Sequence, residues 1–146
     1  GRTAAGKGAT VDASCKQSVR KNGSLAEPQD GSGRHTPLIV FHGDKDRTVN
    51  CANADMIVDN WLERGSARLG EDNWQITSMK HDAPSGRRSV VTTYAAKHSH
   101  KRARCEYWQL IDAGHQWSGG CTDGSYTDSE GPNAPAEMVR FFLGSV

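Results

Sequence analysis

The chain has 146 residues, of which 35% are hydrophobic and 16 are glycine, and its mean hydropathy is negative. Its length allows one ordinary domain with a modest core and long polar connections. The net charge of +1 gives no overall attraction to nucleic acid or anionic membranes, and no apolar run approaches the roughly 18 residues needed to span a bilayer. We therefore expect neither a nucleic-acid partner nor a membrane-spanning segment.

The chain changes character near residue 37. Residues 1–36 are rich in Gly, Ser and Lys and weakly patterned, with a possible short helix over 11–20. Residues 37–43 (PLIVFHG) then form a continuous apolar run that ends in glycine, which is typical of a strand buried on both faces of a parallel sheet. We place a boundary here, between an irregular N-terminal segment (1–36) and a folded unit (37–146).

A helix is predicted over residues 52–64, after a short polar turn. Asn50 is placed to cap its start and Gly65 its end. Apolar residues recur at near-helical spacing along it: Ala52, Met56, Ile57, Trp61 and Leu62. Strand, turn and helix in this order begin a βαβ unit.

The second half of the chain predicts two more strands and one helix. Residues 66–88 are polar and interrupted by glycine, with no strand predicted. The β-branched stretch 89–95 and the stretch 105–112 are predicted strands, either an antiparallel pair or neighbours at a sheet edge. The basic connection 97–104 lacks interleaved aromatic residues and is interpreted as a solvated loop. A polar loop (114–131) leads to an amphipathic helix (134–143), whose inner side is assigned to Met138, Val139, Phe141 and Phe142.

Two polar loops follow predicted strands, HGDKDRTV from His42 and AGHQWSGG from Ala113. The carboxyl ends of parallel strands meet at one edge of a sheet, so these loops are expected to converge. An aspartate of the first loop would then accept a hydrogen bond from the Nδ1–H group of His115 and fix its tautomer. His42 is interpreted as a packed residue at the end of its strand.

The stretches PLIVFHGDKDRTVN and GHQWSGG…GSYTDSEGPNAPAEMVRFF resemble the acid and histidine motifs of the polyhydroxybutyrate-depolymerase-like esterases. This α/β-hydrolase family also includes feruloyl- and acetylxylan-esterase-like members, and the resemblance covers about residues 37–143. It implies that Asp46 is the acid and His115 the base of a Ser-His-Asp triad, in the chain order of such enzymes. Asp44 is expected to cap or orient the loop.

The resemblance implies a carboxylic-ester hydrolase that uses an acyl-enzyme and no cofactor. Its substrate would be a polyhydroxyalkanoate or a feruloyl or acetyl ester of plant polysaccharide. The implied fold is α/β, the C-terminal part of an α/β-hydrolase sheet, with about three strands and flanking helices, incomplete without upstream strands.

The chain departs from the family pattern in one respect, because it contains no G-x-S-x-G nucleophile motif. Ser118 lies in a Gly-rich loop, not between a strand and a helix, and is not accepted as the nucleophile. We therefore expect a fragment that supplies the acid and the base, is inactive alone, and needs the N-terminal half of the same protein or a second copy. The alternative is a non-catalytic hydrolase remnant that acts as a binding or interaction module.

The four cysteines lack the C-x-x-C spacing that is typical of a zinc knuckle, and no metal is assigned. Their even number favours disulfides and an oxidising compartment, hence a secreted or periplasmic protein, with four unpaired or buried thiols as the alternative. Sequence does not choose among the three possible pairings. If the two loops converge, a disulfide between Cys51 and Cys121 would brace the acid–base pair.

Four other residues of the histidine loop are candidates for substrate binding or for holding the loop. Trp117 is a candidate substrate-binding residue that lines the pocket beside His115, with packing beneath the loop as the alternative. Asp123, Ser125 and Asp128 lack the spacing of a calcium-binding EF-hand loop and are interpreted as hydrogen-bonding residues that hold the loop.

Overall fold

The computed structural model describes residues 36–69, 74–82, 86–97 and 105–144. The helix considered over residues 11–20 and most of the basic connection lie outside these ranges. The elements in chain order are β1 (Leu38–Gly43), α1 (Ala52–Leu69), β2 (Trp74–Asp82), β3 (Arg88–Ala96), β4 (Cys105–Leu110), β5 (Trp117–Ser118), β6 (Thr127–Asp128) and α2 (Ala134–Leu143). Neither described helix is long and apolar enough to cross a membrane.

The main sheet has four strands in the order β1-β4-β3-β2, and β5 and β6 form a small parallel pair. β1 runs parallel to β4, while β3 is antiparallel to both β4 and β2. The sheet is therefore mixed and mostly antiparallel. The predicted α/β fold, the C-terminal part of an α/β-hydrolase sheet, is wrong. The antiparallel pairing of β3 with β4 is one of the two arrangements that the sequence left open.

β2 is the strand of the main sheet that the sequence did not predict, and the short strands β5 and β6 lie in the stretch predicted as a polar loop. Its residues from Gln75 to His81 are all exposed, so they lack the apolar alternation that marks a half-buried strand. Pairing with β3 instead runs along the whole strand, from Trp74 opposite Ala96 to Asp82 opposite Arg88. Backbone hydrogen bonds between strands require no apolar pattern. The strand therefore could not be predicted from the alternation of apolar and polar residues.

Apolar side chains pack on both faces of the sheet. On one face, α1 contributes to a cluster with residues of β2 and β4: Ala54, Val58, Trp61, Trp74, Cys105 and Tyr107. The other face holds Val91, Trp108, Leu110 and Ala113, with Ile39 and Phe41 packed against them. β1 has apolar contacts on both faces, as its continuous apolar sequence predicts, but all of its residues except Gly43 are only partly buried.

α1 differs from the predicted helix in length and in the face that it buries. It continues through Gly65, which is buried, to Leu69, so Gly65 is not its C-cap. Met56 and Ile57 are 39% and 49% exposed, whereas Val58 is 2% exposed. At the start of the helix, the side-chain oxygen of Asn50 accepts a hydrogen bond from the Ala52 amide at 2.9 Å, as expected of a cap.

α2 begins at a capping side chain, since Asn133 Oδ1 accepts from the Ala136 amide at 3.1 Å. Of the predicted inner residues, Phe141 is buried, but Val139 and Phe142 are each more than half exposed. The helix is joined to the sheet by an ion pair between Arg140 and the buried Glu106 of β4, with Nη2 and Oε2 2.5 Å apart.

Candidate active site

The loops that follow β1 and β4 lie side by side, because the two strands are adjacent and parallel. The Asp44 amide donates to the Leu110 carbonyl at 3.0 Å, and the Lys45 amide donates to the Ala113 carbonyl at 2.9 Å. Gly43 permits this approach, since a Cβ atom there would lie 2.3 Å from the Ala113 oxygen. The predicted convergence of the two loops is thus present.

Asp46 and His115 contact each other at this edge of the sheet. Nδ1 of His115 lies 2.9 Å from Oδ2 of Asp46. The second carboxylate oxygen, Oδ1, accepts from the amides of Thr48 at 2.8 Å and Val49 at 2.9 Å. The Asp46 side chain is 5% exposed, whereas that of His115 is 53% exposed. The acid is therefore fixed and enclosed, and the imidazole faces solvent.

The ionisation state of Asp46 decides whether the shared proton lies on its carboxylate or on Nδ1 of His115. Burial of the carboxyl group opposes its ionisation, but hydrogen bonds from the Val49 amide and the His115 ring outweigh burial and hold the pKa of Asp46 below its usual range. An ionised carboxylate only accepts hydrogen bonds, so Nδ1 of His115 carries the proton and donates it. Nε2 then keeps its lone pair, and no described residue is hydrogen-bonded to it. This is the arrangement of a general base held by a carboxylate.

His42, at the end of β1, supports the acid loop from the other side. Its Nε2–H group donates to the Val49 carbonyl at 3.1 Å, since a carbonyl oxygen only accepts. The same nitrogen lies 3.8 Å from Oδ2 of Asp46, and the His42 side chain is 12% exposed. The interpretation of His42 as a packed strand-end residue agrees with this burial, and its hydrogen bond gives it a second role, in holding the turn around Asp46.

Asp44 joins the acid loop to the histidine loop. Its Oδ1 accepts from the Asp112 amide at 2.7 Å. Asp112 has a positive φ of 58°, a left-handed conformation that non-glycine residues seldom adopt. Asp44 thus orients the loop, as expected, and does not contact His115.

Arg87 is the residue at this site that sequence reasoning missed. Its guanidinium donates to the carbonyls of Ile111 at 3.3 Å and Asp112 at 2.8 Å, and it pairs with the Asp128 carboxylate through Nε at 2.5 Å. Arg87 precedes β3, which is antiparallel to β4, so the start of β3 lies beside the end of β4. Only this pairing brings Arg87 to the site. In the sequence, Arg87 follows a glycine in a polar stretch, and nothing in that pattern predicts a contact with the histidine loop.

The loop after the histidine is held by some of the residues expected to do so. Asp128, whose side chain is 5% exposed, binds Arg87, but Asp123 and Ser125 are exposed and form no hydrogen bond within the described part of the chain. Ser118 is 2% exposed and donates to the Pro132 carbonyl at 2.7 Å, which agrees with its rejection as nucleophile.

Trp117 lies two residues after His115, at the start of the short β5–β6 pair. Its amide donates to the Tyr126 carbonyl at 2.8 Å, and its side chain is 49% exposed. A tryptophan packed beneath the loop would be buried, so the half-exposed ring is better placed to meet a ligand. Its role in substrate binding stays a prediction.

The hypothetical disulfide between Cys51 and Cys121 is not formed. Cys51 is disulfide-bonded, whereas Cys121 is a free, exposed thiol. The Cys51 carbonyl lies in the first turn of α1, where it accepts from the Ala54 amide at 2.9 Å. Cys121 lies in a separate turn, in which its carbonyl accepts from Thr127 Oγ1 at 2.7 Å.

Within the described ranges, no group of three or more His, Cys, Asp or Glu side chains could hold a metal ion. Compared with known proteins, the chain matches no family model and no curated protein. The family resemblance therefore rests on the two motifs alone, and function must be argued from the site.

Proposed function

We propose that this chain supplies the acid and the base of a serine carboxylic-ester hydrolase, in which Asp46 orients His115 and His115 activates a serine that the described residues do not provide. The observation that supports the proposal is the 2.9 Å contact between Nδ1 of His115 and the enclosed Asp46 carboxylate. This contact uses Nδ1 and leaves Nε2 of His115 free, on a side chain that is 53% exposed.

In the proposed reaction the serine Oγ attacks the ester carbonyl carbon while Nε2 of His115 removes the hydroxyl proton. Collapse of the tetrahedral intermediate breaks the bond to the alcohol, which leaves with the proton returned by Nε2. Water then repeats the two steps on the acyl-enzyme and releases the acid. Throughout, the ionised Asp46 stabilises the imidazolium and keeps the ring in the orientation that serves both proton transfers.

The serine is proposed to come from the N-terminal half of the same protein or from a second copy. β1 offers a place for such a partner, since it is an edge strand that pairs only with β4 among the described strands. Its sequence, LIVFHG, contains no lysine, glutamate or proline that would discourage further pairing. A strand added there would lie next to the loop that carries Asp46.

The proposed substrates are polyhydroxyalkanoates or feruloyl or acetyl esters of plant polysaccharide, with Trp117 against the acyl or alcohol group. A secreted or periplasmic location is proposed with them, and the disulfide at Cys51 supports an oxidising compartment.

The test is labelling by a fluorophosphonate of the protein expressed from its complete coding sequence. His115→Ala should slow labelling by orders of magnitude, because the serine loses its base. Ser118→Ala is the matched control, since Ser118 donates to the Pro132 carbonyl and should not affect the rate more than a few-fold. Unchanged labelling in His115→Ala would refute the proposal. Complete absence of labelling and of ester turnover in the unsubstituted protein would also refute it, and would favour a non-catalytic binding module.

A further inference from the structure

His115 lies in a loop whose two ends meet at one side chain. The loop leaves β4 after Leu110 and enters β5 at Trp117. On the side that precedes the histidine, Nη1 of Arg87 donates to the carbonyl of Asp112 at 2.8 Å and to that of Ile111 at 3.3 Å. These bonds hold the first two residues after the strand.

The side that follows the histidine is held by the same guanidinium through Asp128. Nε of Arg87 lies 2.5 Å from Oδ2 of Asp128, and Nη2 lies 3.3 Å from Oδ1. Asp128 belongs to β6, where it is opposite Ser118, and its carbonyl accepts from the Gly119 amide at 2.8 Å. One planar group thus joins the residues before and after His115.

This junction is a strong restraint for two reasons. The side chains of Arg87 and Asp128 are only 17% and 5% exposed, so solvent screens their attraction little. In addition, the guanidinium presents several donors in a fixed plane, which a flexible ammonium group does not. The bonds of Arg87 to the loop are therefore directional.

The restraint reaches the acid loop through Asp112. The carbonyl of Asp112 accepts from Arg87, while its amide donates to Asp44 at 2.7 Å. Both peptide groups of this residue, which has a φ of 58°, are thereby fixed. A left-handed non-glycine residue persists when its surroundings determine its conformation, and here Asp44 and Arg87 do so.

From these contacts we propose that Arg87 is a positioning residue for His115, which keeps Nδ1 of the imidazole on the Asp46 carboxylate. The inference rests on the proposed function, in which His115 is the base. Arg87 itself contacts neither His115 nor Asp46, and it acts through the two ends of the loop.

The first test compares Arg87→Lys with Arg140→Lys in this chain. Lysine keeps the charge, but a single ammonium group does not hold both the loop carbonyls and Asp128. Arg140, on α2, is a matched control, because it also makes two short ion-pair contacts, one to Glu106 of β4 and one to Glu137 of α2. Imidazole 15N spectra of His115 should show one dominant Nδ1–H tautomer in the native chain and in Arg140→Lys. In Arg87→Lys, the two ring nitrogen shifts should move toward each other as the hydrogen bond to Asp46 loosens.

A spectrum of Arg87→Lys identical to the native one would overturn the inference. An equal change in Arg140→Lys would overturn it too, because the effect would then reflect general loss of stability. If Arg87→Lys does not fold, Asp128→Asn replaces it, since this variant keeps the bonds of Arg87 to Ile111 and Asp112 and weakens only the side after the histidine. The same shift of the ring nitrogens is expected, and its absence would contradict the inference.

The second test uses the complete protein and separates this inference from the proposed function. Arg87→Lys should slow fluorophosphonate labelling by about 10- to 100-fold, the effect of a misplacement of about 1 Å in a catalytic group. Arg140→Lys should leave the rate within about twofold of native on the same reasoning. If Arg87→Lys loses the tautomer preference of His115 but labels with fluorophosphonate at the native rate, the proposed contribution of Arg87 to catalysis is overturned. A native protein that never labels would instead refute the proposed function, whatever the spectra show.

Discussion

Replacing Asp46 by asparagine is expected to move the proton of His115 from Nδ1 to Nε2. In the native protein, Oδ1 of Asp46 accepts from two backbone amides, and Oδ2 accepts from the histidine. An asparagine must keep its single oxygen toward the two amides, which turns its NH₂ group toward Nδ1. Two donors do not share a hydrogen bond, so Nδ1 becomes the acceptor and the ring proton moves to Nε2. The variant histidine then has no lone pair for a serine.

The size of the effect follows from the contacts on each oxygen. A hydrogen bond to a charged group contributes about 1.5–3 kcal/mol net, and the lower value applies because the His115 ring is 53% exposed. About 1.5 kcal/mol is roughly a tenfold preference for the Nδ1–H tautomer in the native chain. Rotating the asparagine amide to avoid reversal would instead break two hydrogen bonds, those from the amides of Thr48 and Val49, at about 0.5–1.5 kcal/mol each. The reversed tautomer is therefore the cheaper outcome.

The assay is a long-range proton–nitrogen correlation spectrum of the imidazole rings, recorded at about pH 8–9, above the ordinary histidine pKa of about 6.5. His115→Gln identifies the signals of His115. Asp44→Asn is the matched control, because Asp44 accepts from the Asp112 amide and does not contact the ring. The reasoning would be refuted by a dominant Nδ1–H tautomer in Asp46→Asn, or by equal reversal in the control. In the complete protein, reversal should lower the rate of acylation by about 10⁴, as the wrong tautomer does in other triads.

Three further predictions concern packing, acid stability and thiol reactivity. Gly43→Ala should lower the free energy of unfolding by about 1–3 kcal/mol in urea titrations, because its Cβ would lie 2.3 Å from a backbone oxygen of the neighbouring loop. Gly114→Ala, with no atom within 4 Å of the new Cβ, should change it by less than about 0.5 kcal/mol. Since the pKa of Asp46 is lowered from 3.8, its ionised form stabilises the fold above about pH 4, and this contribution is lost as the pH falls through the lower folded value. The difference in stability between native protein and Asp46→Asn should accordingly shrink below pH 4, and a constant difference would contradict the assignment. Iodoacetamide should modify the exposed Cys121 in the folded protein but Cys105 only after unfolding, because burial raises the pKa of Cys105 to about 12; mass spectrometry of the peptides distinguishes the two.

Local patterns predicted several features of the site. The continuous apolar run of β1 and the glycine that ends it placed the acid loop at a strand end, and the adjacency of β1 and β4 brought Asp46 to His115. Asn50 was recognised as a capping residue because its side chain acts on an amide two residues away. Such features depend on neighbours in sequence or on one strand pairing, and they are visible without the rest of the fold.

Features that depend on distant pairing escaped prediction. The exposed strand β2 has no apolar alternation and exists through its hydrogen bonds to β3. The buried face of α1 was misjudged because near-helical spacing allows more than one apolar stripe, and contact with the sheet selected the stripe that contains Ala54 and Val58. The disulfide hypothesis failed because Cys51 is in a disulfide while Cys121 is a free thiol, and positions along the chain do not select the partner of a cysteine.

The sequence by itself placed an aspartate and a histidine in loops after predicted strands, and the resemblance of these loops to esterase motifs implied that Asp46 and His115 carry the proposed chemistry. Tertiary structure alone decided the mixed, mostly antiparallel sheet, the ionised state of Asp46 and the part played by Arg87. The pairing of β3 with β4 brings Arg87 to the two ends of the histidine loop from a position 28 residues before His115. Hydrogen-bond networks of this kind are set by the three-dimensional path of the chain, and no local pattern encodes that path.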